Sequence, residues 1–291
     1  MGAVDGATHR VESFVIGNPG RAVLELADGP PAVPIGRADV ELSAVSLEGL
    51  ILRAATVRGV SHREDLEPRQ DAFALAYGEV TQGGLVAVVC DGVGQYAASF
   101  RAADLAAQQI AELGSSGLDW ATVFRSVNQS LLDELKAVRA AADDESAGLA
   151  TTAVAVRITP ADQGWNVSMA WAGDSTGWLL DSLGQWSCLT RVVDGRDDDL
   201  YSSSAVRALP SGHGAVQTDE FSITTGAVFL VSDGVGNPLA GSGEVREQLG
   251  TWWAAAPDPY TFAAQVDFAR RGHTDDRTAV GIWLSEIGGA E

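Results

Sequence analysis

Two hydrophobic segments of this chain end in the same four residues, Asp-Gly-Val-Gly. The segment 85–90 runs into Asp91, and the segment 228–232 runs into Asp233. Further aspartates border apolar segments at Asp174 and at the adjacent pair Asp275-Asp276. Carboxylates at the ends of buried strands repel one another and lose hydration, so such a group requires nearby cations. The pattern therefore predicts a metal site built from aspartates.

The chemistry of such a site follows from its oxygen ligands, which suit Mg²⁺ or Mn²⁺. Two of these ions close together can share a water, lower its pKa and hold it for attack on phosphorus. The chain has 4 histidines and no His-rich motif, which fits a zinc hydrolase less well. A simpler interpretation is that each Asp-Gly forms a hairpin turn. The residues after Asp91 read as a helix, however, so no partner strand follows directly.

Composition limits the classes of partner. The chain has 291 residues, 46% of them hydrophobic, which is enough for one large domain with a sizeable core. Lys and Arg number 19 against 39 Asp and Glu, and the net charge of −20 opposes contact with the phosphate backbone of a nucleic acid. No apolar run approaches the ~20 residues that a membrane helix needs. We therefore expect a soluble, cytoplasmic protein with no nucleic-acid partner and no membrane partner.

Hydrophobic periodicity predicts an α+β fold, in which helices are inserted in a series of strands. Two long helices are predicted at about 97–114 and 118–141, and two shorter ones at 244–253 and 260–271. Strands are predicted at 41–45, 50–57, 72–77, 85–90, 151–158, 165–172, 177–181, 220–223, 228–231 and 278–284. Residues 1–40 carry Gly and Pro clusters and are predicted to be a loosely ordered extension.

Six motifs follow one another along the chain. They are Gln70-Asp71-Ala72, Asp91-Gly92-Val93-Gly94, Thr151-Thr152-Ala153-Val154, Gly173-Asp174-Ser175, Ser232-Asp233-Gly234 and Asp276-Arg277-Thr278-Ala279-Val280. In this order and at these spacings they resemble the metal-dependent protein phosphatase family, type 2C, in its bacterial branch. The resemblance covers about residues 50–284. Each motif alone is weak evidence, whereas six in order are strong evidence.

The resemblance implies both a fold and a metal centre. The fold is a four-layer α-β-β-α sandwich of two antiparallel sheets flanked by helices, formed by a domain at 41–288 after the extension 1–40. Two Mn²⁺ or Mg²⁺ ions bind at one end of the sandwich. The implied catalytic metal ligands are Asp71, Asp91, Asp233 and Asp276, with the carbonyl of Gly92. Asp174 is implied either as a ligand or as a brace that acts through hydrogen bonds.

Three departures from the family pattern affect the site. The arginine that grips the substrate phosphate would fall near Leu66, beside an apparent insertion. His62, Arg63 and Arg69 are candidate phosphate-binding replacements, because a dianion needs a cationic clamp; each can also be read as a solvated side chain.

Gln70 stands where the family often has glutamate. The third ion of bacterial relatives needs an acidic residue just before Thr151, but 143–145 lie too far upstream. The acidic residues 197–199 could hold that ion or form a solvated loop.

The resemblance implies a metal-dependent phosphatase that removes phosphate from phosphoserine and phosphothreonine in proteins. Its partner would be a phosphoprotein substrate, and it would oppose a Ser/Thr kinase. One alternative is a pseudophosphatase that binds a phosphoprotein without turnover, and another is a purely structural metal-binding domain. The polar segment 194–214 stands where the family carries a flap and is expected to influence substrate choice.

Overall fold

A computed structural model of the chain describes residues 13–20, 37–78, 84–190, 208–211 and 216–286. These residues form eleven strands and six helices. The strands are β1 (Val40–Leu47), β2 (Leu50–Val57), β3 (Ala72–Tyr77), β4 (Leu85–Cys90), β5 (Ala153–Pro160), β6 (Trp165–Ala172), β7 (Thr176–Leu180), β8 (Trp186–Cys188), β9 (Gln217–Ile223), β10 (Gly226–Val231) and β11 (Arg277–Leu284). The helices are α1 (Val60–Glu64), α2 (Ser99–Ser115), α3 (Trp120–Ala142), α4 (Asp233–Gly241), α5 (Gly243–Trp252) and α6 (Pro259–Val266).

The strands form two antiparallel sheets. One sheet has the order β1-β2-β11-β10-β7-β8, and the other has the order β3-β4-β5-β6-β9. Every pairing between these strands is antiparallel. The inward faces share one buried cluster, which includes Leu52, Val89, Val156, Leu230 and Ile282. This cluster is the sandwich core.

The helices cover the outer faces of both sheets. Buried side chains of α2 and α3 pack on the second sheet, and those of α4, α5 and α6 pack on the first. The Ala-rich face of α2 brings its backbone close to β3 and β4, since alanine side chains add little bulk. The four-layer α-β-β-α sandwich predicted from the sequence is confirmed.

Side-chain caps mark the beginnings of three helices. Asp119 caps α3 by accepting a hydrogen bond from the backbone amide of Thr122. Ser242 caps α5 in the same way. Asp258 caps α6, whose first residue is Pro259.

Three helices differ from the sequence-based expectations. The short helix α1 and the helix α4 were not predicted. Helix α4 contains three glycines and a proline, which disfavour helix in isolation. Helix α6 ends at Val266 instead of near 271, and Ala269 pairs with Val15 in a short parallel bridge.

Residues 13–20 thus lie against the domain, and Ile16 is 2% exposed within the core under α5. The rest of the predicted extension before residue 37 lies outside the described residues, and the domain boundary at 40 stays a prediction.

The predicted flap, 194–214, lies mostly outside the described residues, but both of its approaches are fixed. On one side the amide of Leu189 donates to the carbonyl of Gly177 at 2.8 Å. On the other, Leu209 and Thr151 exchange two backbone hydrogen bonds of 2.7 and 2.8 Å. The side chain of Asn128 on α3 then binds both the amide and the carbonyl of Ser211.

None of the described helices is long and apolar enough to cross a membrane.

An aromatic group anchors the layer under the first sheet. Trp253 is fully buried, stacks on Phe229 with ring centroids 5.1 Å apart, and donates from its indole nitrogen to Gln265. Phe262 and Trp283 pack around it. The adjacent Trp252 is only half-buried.

We expect Trp253→Ala to lower the free energy of unfolding by about 3–5 kcal/mol, since it leaves a cavity in this cluster. The matched control Trp252→Ala should cost clearly less, because part of that ring already faces water. Urea unfolding followed by circular dichroism measures both changes. Equal losses would contradict the assigned role of Trp253.

Candidate active site and metal centre

The sandwich brings four aspartates of the sequence pattern to one end. Asp71 immediately precedes β3, and Asp91 immediately follows β4, its antiparallel neighbour. Asp233 follows β10 on the facing sheet, and its backbone amide donates to a carboxylate oxygen of Asp91 at 3.4 Å. Asp276 precedes β11, which pairs with β10. Antiparallel pairing therefore places these strand ends together, although they are far apart in sequence.

Asp71 lies deepest in the group, with 1% of its surface exposed. Its carboxylate accepts a hydrogen bond of 2.7 Å from the hydroxyl of Thr278. Burial, followed by the charge of Asp276, raises the pKa of Asp71 to about 8, although hydroxyls of Ser232 and Thr278 favour the ionised form. A carboxyl in this position is costly to ionise unless a cation lies nearby.

Asp91 and Gly92 sit on a firmly held backbone. The carbonyl of Asp91 accepts from the hydroxyl of Thr151 at 2.9 Å and from the amide of Thr152 at 2.8 Å. A Cβ on Gly92 would lie 2.9 Å from the carbonyl oxygen of Gln70, so only glycine fits there. Burial, followed by the charges of neighbouring aspartates, raises the pKa of the Asp91 carboxyl well above its usual range.

Asp233 is the first residue of α4, where the helix dipole favours negative charge. Burial, and then the charges of Asp275 and Asp174, nevertheless raise its pKa to about 6. Asn237, one turn along the helix, donates to its carboxylate at 3.3 Å. The carboxylate thus faces the other aspartates from the first sheet.

Asp276 is buried, and its oxygens are already engaged by the protein. One oxygen accepts from the amide of Gly59 at 2.6 Å and lies 2.9 Å from Nδ1 of His62. The other accepts from the amide of Gln70 at 2.5 Å and from the amide of Asp71 at 3.3 Å. Asp276 therefore ties the ends of β2 and β3 together.

The neighbouring Asp275 was not among the predicted site residues. Its side chain is 57% exposed, and its charge contributes to the raised pKa of both Asp91 and Asp233. Adjacent residues before a strand direct their side chains differently, so Asp275 and Asp276 do not point the same way. The sequence showed the pair, but only the structure shows that Asp275 is the exposed member and Asp276 the buried one.

Asp174 lies at the mouth of the same group. Partial burial raises its pKa, and its charge contributes to the raised pKa of Asp91 and Asp233. The preceding Gly173 has φ +94°, a conformation suited to glycine, and turns the chain toward Asp174. The following Ser175 shares a hydroxyl–hydroxyl hydrogen bond of 2.6 Å with Thr152.

The three predicted phosphate-binding residues have different surroundings. His62 lies within 4 Å of a site carboxylate, since its Nε2 is 3.7 Å from Asp275. Burial alone would lower the pKa of His62, but the contact with Asp276 and the nearby carboxylates raise it to about 9. The Nε atom of Arg63 donates to the carbonyl of Arg58. Arg69 is 1% exposed and pairs with Glu41 at 2.6 Å, so its guanidinium does not reach solvent.

The donor set fits divalent cations that prefer oxygen. The charge of Asp275 acts on both Asp91 and Asp233, and Gly92 directly follows Asp91 in the chain. Burial and then the neighbouring aspartate charges raise the pKa of Asp91 and Asp233, and bound cations would relieve both effects.

This arrangement predicts how stability depends on pH without metal. An unfolded Asp has a pKa of about 3.9, whereas folded Asp71 has a pKa of about 8. Between these values the folded chain holds a proton that the unfolded chain has released. In chelator, the free energy of unfolding should therefore fall as pH rises from about 4 to about 8, by up to about 1.4 kcal/mol per pH unit for each such group.

Asp71→Asn should flatten this slope and stabilise the metal-free protein at pH 8. Asp162→Asn, in an exposed turn, is the control and should leave the slope unchanged. Urea titrations at several pH values with chelator measure both. A wild-type slope of the opposite sign would refute this account of the buried carboxyls.

Comparisons with known proteins agree with the fold. The chain superposes on the catalytic domain of the serine/threonine phosphatase PstP in complex with two manganese ions, with a TM-score of 0.57 and 21% identity, covering 81% of this chain and 98% of that one. Stp1 from Staphylococcus aureus gives a TM-score of 0.57 and 14% identity over 84% and 98% of the two chains. RsbX in complex with magnesium gives 0.56 and 12% identity over 84% and 100%.

No curated protein sequence matches the chain. At these low identities the structural likeness shows the fold alone. The family model described as protein phosphatase 2C matches residues 58–267, well over half of the sequence. The chain therefore belongs to the protein phosphatase 2C family of metal-dependent serine/threonine phosphatases.

Proposed function

We propose that the protein hydrolyses phosphoserine and phosphothreonine in proteins at the aspartate group, with two Mn²⁺ or Mg²⁺ ions as cofactors. The observation that carries the proposal is the convergence of Asp71, Asp91 and Asp233 from three strand ends, each with a raised pKa that cations would reverse. Of the solved structures that share the fold, one holds two manganese ions and another holds magnesium.

The ligands that would hold the ions come from several strand ends. Asp91, the Gly92 carbonyl, Asp233 and Asp275 would hold the two ions. Asp71, held by the Thr278 hydroxyl, would bind an ion or orient a water. When bound, the ions would activate a water between them and offset charge on the phosphoryl oxygens.

Asp276 has a different role in the proposal from the one that the motif implied. Its oxygens accept hydrogen bonds from backbone amides of Gly59, Gln70 and Asp71, which leaves it as a positioning residue behind the ligands. We therefore place Asp275, not Asp276, in the ligand set.

The substrate would be a phosphoprotein, and a Ser/Thr kinase would supply it. Among the three phosphate-binding candidates, His62 has the best placement, because it lies beside Asp275 at the edge of the aspartate group. The enclosed position of Arg69 favours one competing idea, a phosphoprotein-binding domain without turnover. Catalytic turnover decides between the two.

The test is hydrolysis of p-nitrophenyl phosphate and of a phosphothreonine peptide with manganese, magnesium or chelator. We expect manganese-dependent turnover that falls at least ~100-fold in Asp91→Asn and in Asp233→Asn, the scale of losing one electrostatic stabiliser of a transition state. Asp162→Asn should retain wild-type rates. A folded, metal-binding wild type without turnover would instead support the binding domain.

Asp275→Asn and Asp276→Asn test the revised ligand set. Asp275→Asn should weaken manganese binding and turnover while leaving the melting temperature in chelator nearly unchanged. Asp276→Asn should lower that melting temperature, because hydrogen bonds to a charged acceptor contribute about 1.5–3 kcal/mol each. Isothermal titration calorimetry and thermal unfolding separate the two effects. If instead Asp276→Asn weakened manganese binding and Asp275→Asn lowered the melting temperature, Asp276 would be the ligand.

A further inference from the structure

The segment between α1 and β3, where the phosphate-gripping arginine of the family would fall, builds a small loop of its own. The amide of Glu67 donates to the carbonyl of His62 at 2.8 Å and closes the loop. Leu66 adopts φ 59°, a left-handed conformation that is unfavourable for a non-glycine residue. The closure brings the Glu67 side chain across from the His62 ring.

The ring of His62 is oriented from behind. His62 is 8% exposed, and its Nδ1 lies 2.9 Å from the carboxylate of buried Asp276. That carboxylate is itself fixed by the amides of Gly59 and Gln70. A buried carboxylate on one imidazole nitrogen is the arrangement that, at metal sites, directs the other nitrogen toward the ion.

The other ring nitrogen, Nε2, faces two carboxylates. It lies 3.7 Å from Oδ1 of Asp275 and 3.9 Å from Oε2 of Glu67. Gln70 steadies Glu67 by donating to the same Oε2 at 3.4 Å. Within the described parts of the chain, Nε2 makes no hydrogen bond at normal distance.

These separations suit a shared ion. Nitrogen and oxygen ligands about 2.0–2.2 Å from a cation lie roughly 3 to 4 Å from each other at ordinary coordination angles. The two separations from Nε2, 3.7 Å to Asp275 and 3.9 Å to Glu67, fall within this range. The described residues also contain a cluster of His62, Asp275 and Asp276 whose ligand atoms all lie within 4.8 Å of one another. Asp276 is the member whose oxygens are taken up by backbone amides.

We propose that His62, Glu67 and Asp275 form a separate divalent-cation site at the edge of the aspartate group, with Asp275 shared between this ion and the dinuclear site. An imidazole ligand among carboxylates favours borderline first-row ions such as Mn²⁺, Fe²⁺ or Zn²⁺ over Mg²⁺. The site uses neither the acidic residues before Thr151 nor 197–199, so it differs from the third ion of bacterial relatives.

The ion has a role that rests on the proposed function. Arg69 is enclosed, and position 66 itself is a leucine. A cation held by His62 and Glu67 supplies positive charge there instead, at the mouth beside Asp275, where a phosphate group enters. In this segment a metal ion thus takes the place of the arginine guanidinium.

Pulsed electron paramagnetic resonance of bound Mn²⁺ tests the site without any turnover, because it detects a directly bound ¹⁴N nucleus. The protein background is the double variant Asp91→Asn with Asp233→Asn, which removes two ligands of the dinuclear site. We expect ¹⁴N modulation in the wild type and in this background. Adding His62→Gln should abolish the modulation, whereas His273→Gln, the control, should retain it.

Glu67→Gln provides a variant that keeps the fold, since the side chain is 42% exposed. Equilibrium dialysis in the double-variant background should show at least ~10-fold weaker Mn²⁺ binding with Glu67→Gln. Wild-type protein without ¹⁴N modulation would overturn the proposal, and so would modulation that persists with His62→Gln. Modulation lost in the double variant alone would overturn the separate site and assign His62 to the dinuclear centre. If the wild-type protein showed no turnover but retained the ¹⁴N modulation, only the proposed function would be refuted.

Discussion

The repulsion among carboxylates at one end of the sandwich is the constraint on which the rest of the site depends. Asp71, Asp91 and Asp233 approach one another in surroundings that withhold water, and each has a raised pKa as a result. An isolated loop would relieve such repulsion by moving apart. Here each carboxylate is attached to a strand end whose other residues are buried between two sheets, so the free energy of the core holds the group together.

Polar groups around the aspartates hold them without neutralising them. Hydroxyls of Thr278 and Ser232 bind Asp71, and Thr151 and Thr152 bind the backbone at Asp91. Neutral donors of this kind orient a carboxylate while leaving its charge available to a cation. Asp276 extends the same principle, since it organises three amides and the His62 ring from inside the protein.

The sequence was sufficient for the fold class and for the elements with strong periodicity. The strands β4, β10 and β11 read as apolar runs because they are buried on both faces, and α2 and α3 read as amphipathic helices. Helix α4 could not be predicted, because its glycines disfavour a helix locally and the reason for them lies in tertiary packing: a Cβ on Gly234 would lie 2.0 Å from the carbonyl oxygen of Asp276. The choice between Asp275 and Asp276 depends on backbone amides distant in sequence, which no local pattern reveals.

Backbone hydrogen bonds anchor the chain on both sides of the segment 191–207, and this affects how the sequence of the enzyme can change in evolution. Leu189 is tied to β7, while Leu209 is tied to Thr151, whose hydroxyl also binds the backbone of Asp91. With both ends anchored, doubling the length of the intervening chain costs only about 0.6 kcal/mol in loop-closure entropy. Insertions and rewritten sequences can accumulate there while the aspartates keep their places. The sequence and length of this segment can thus change in evolution while the aspartate group and its chemistry are retained.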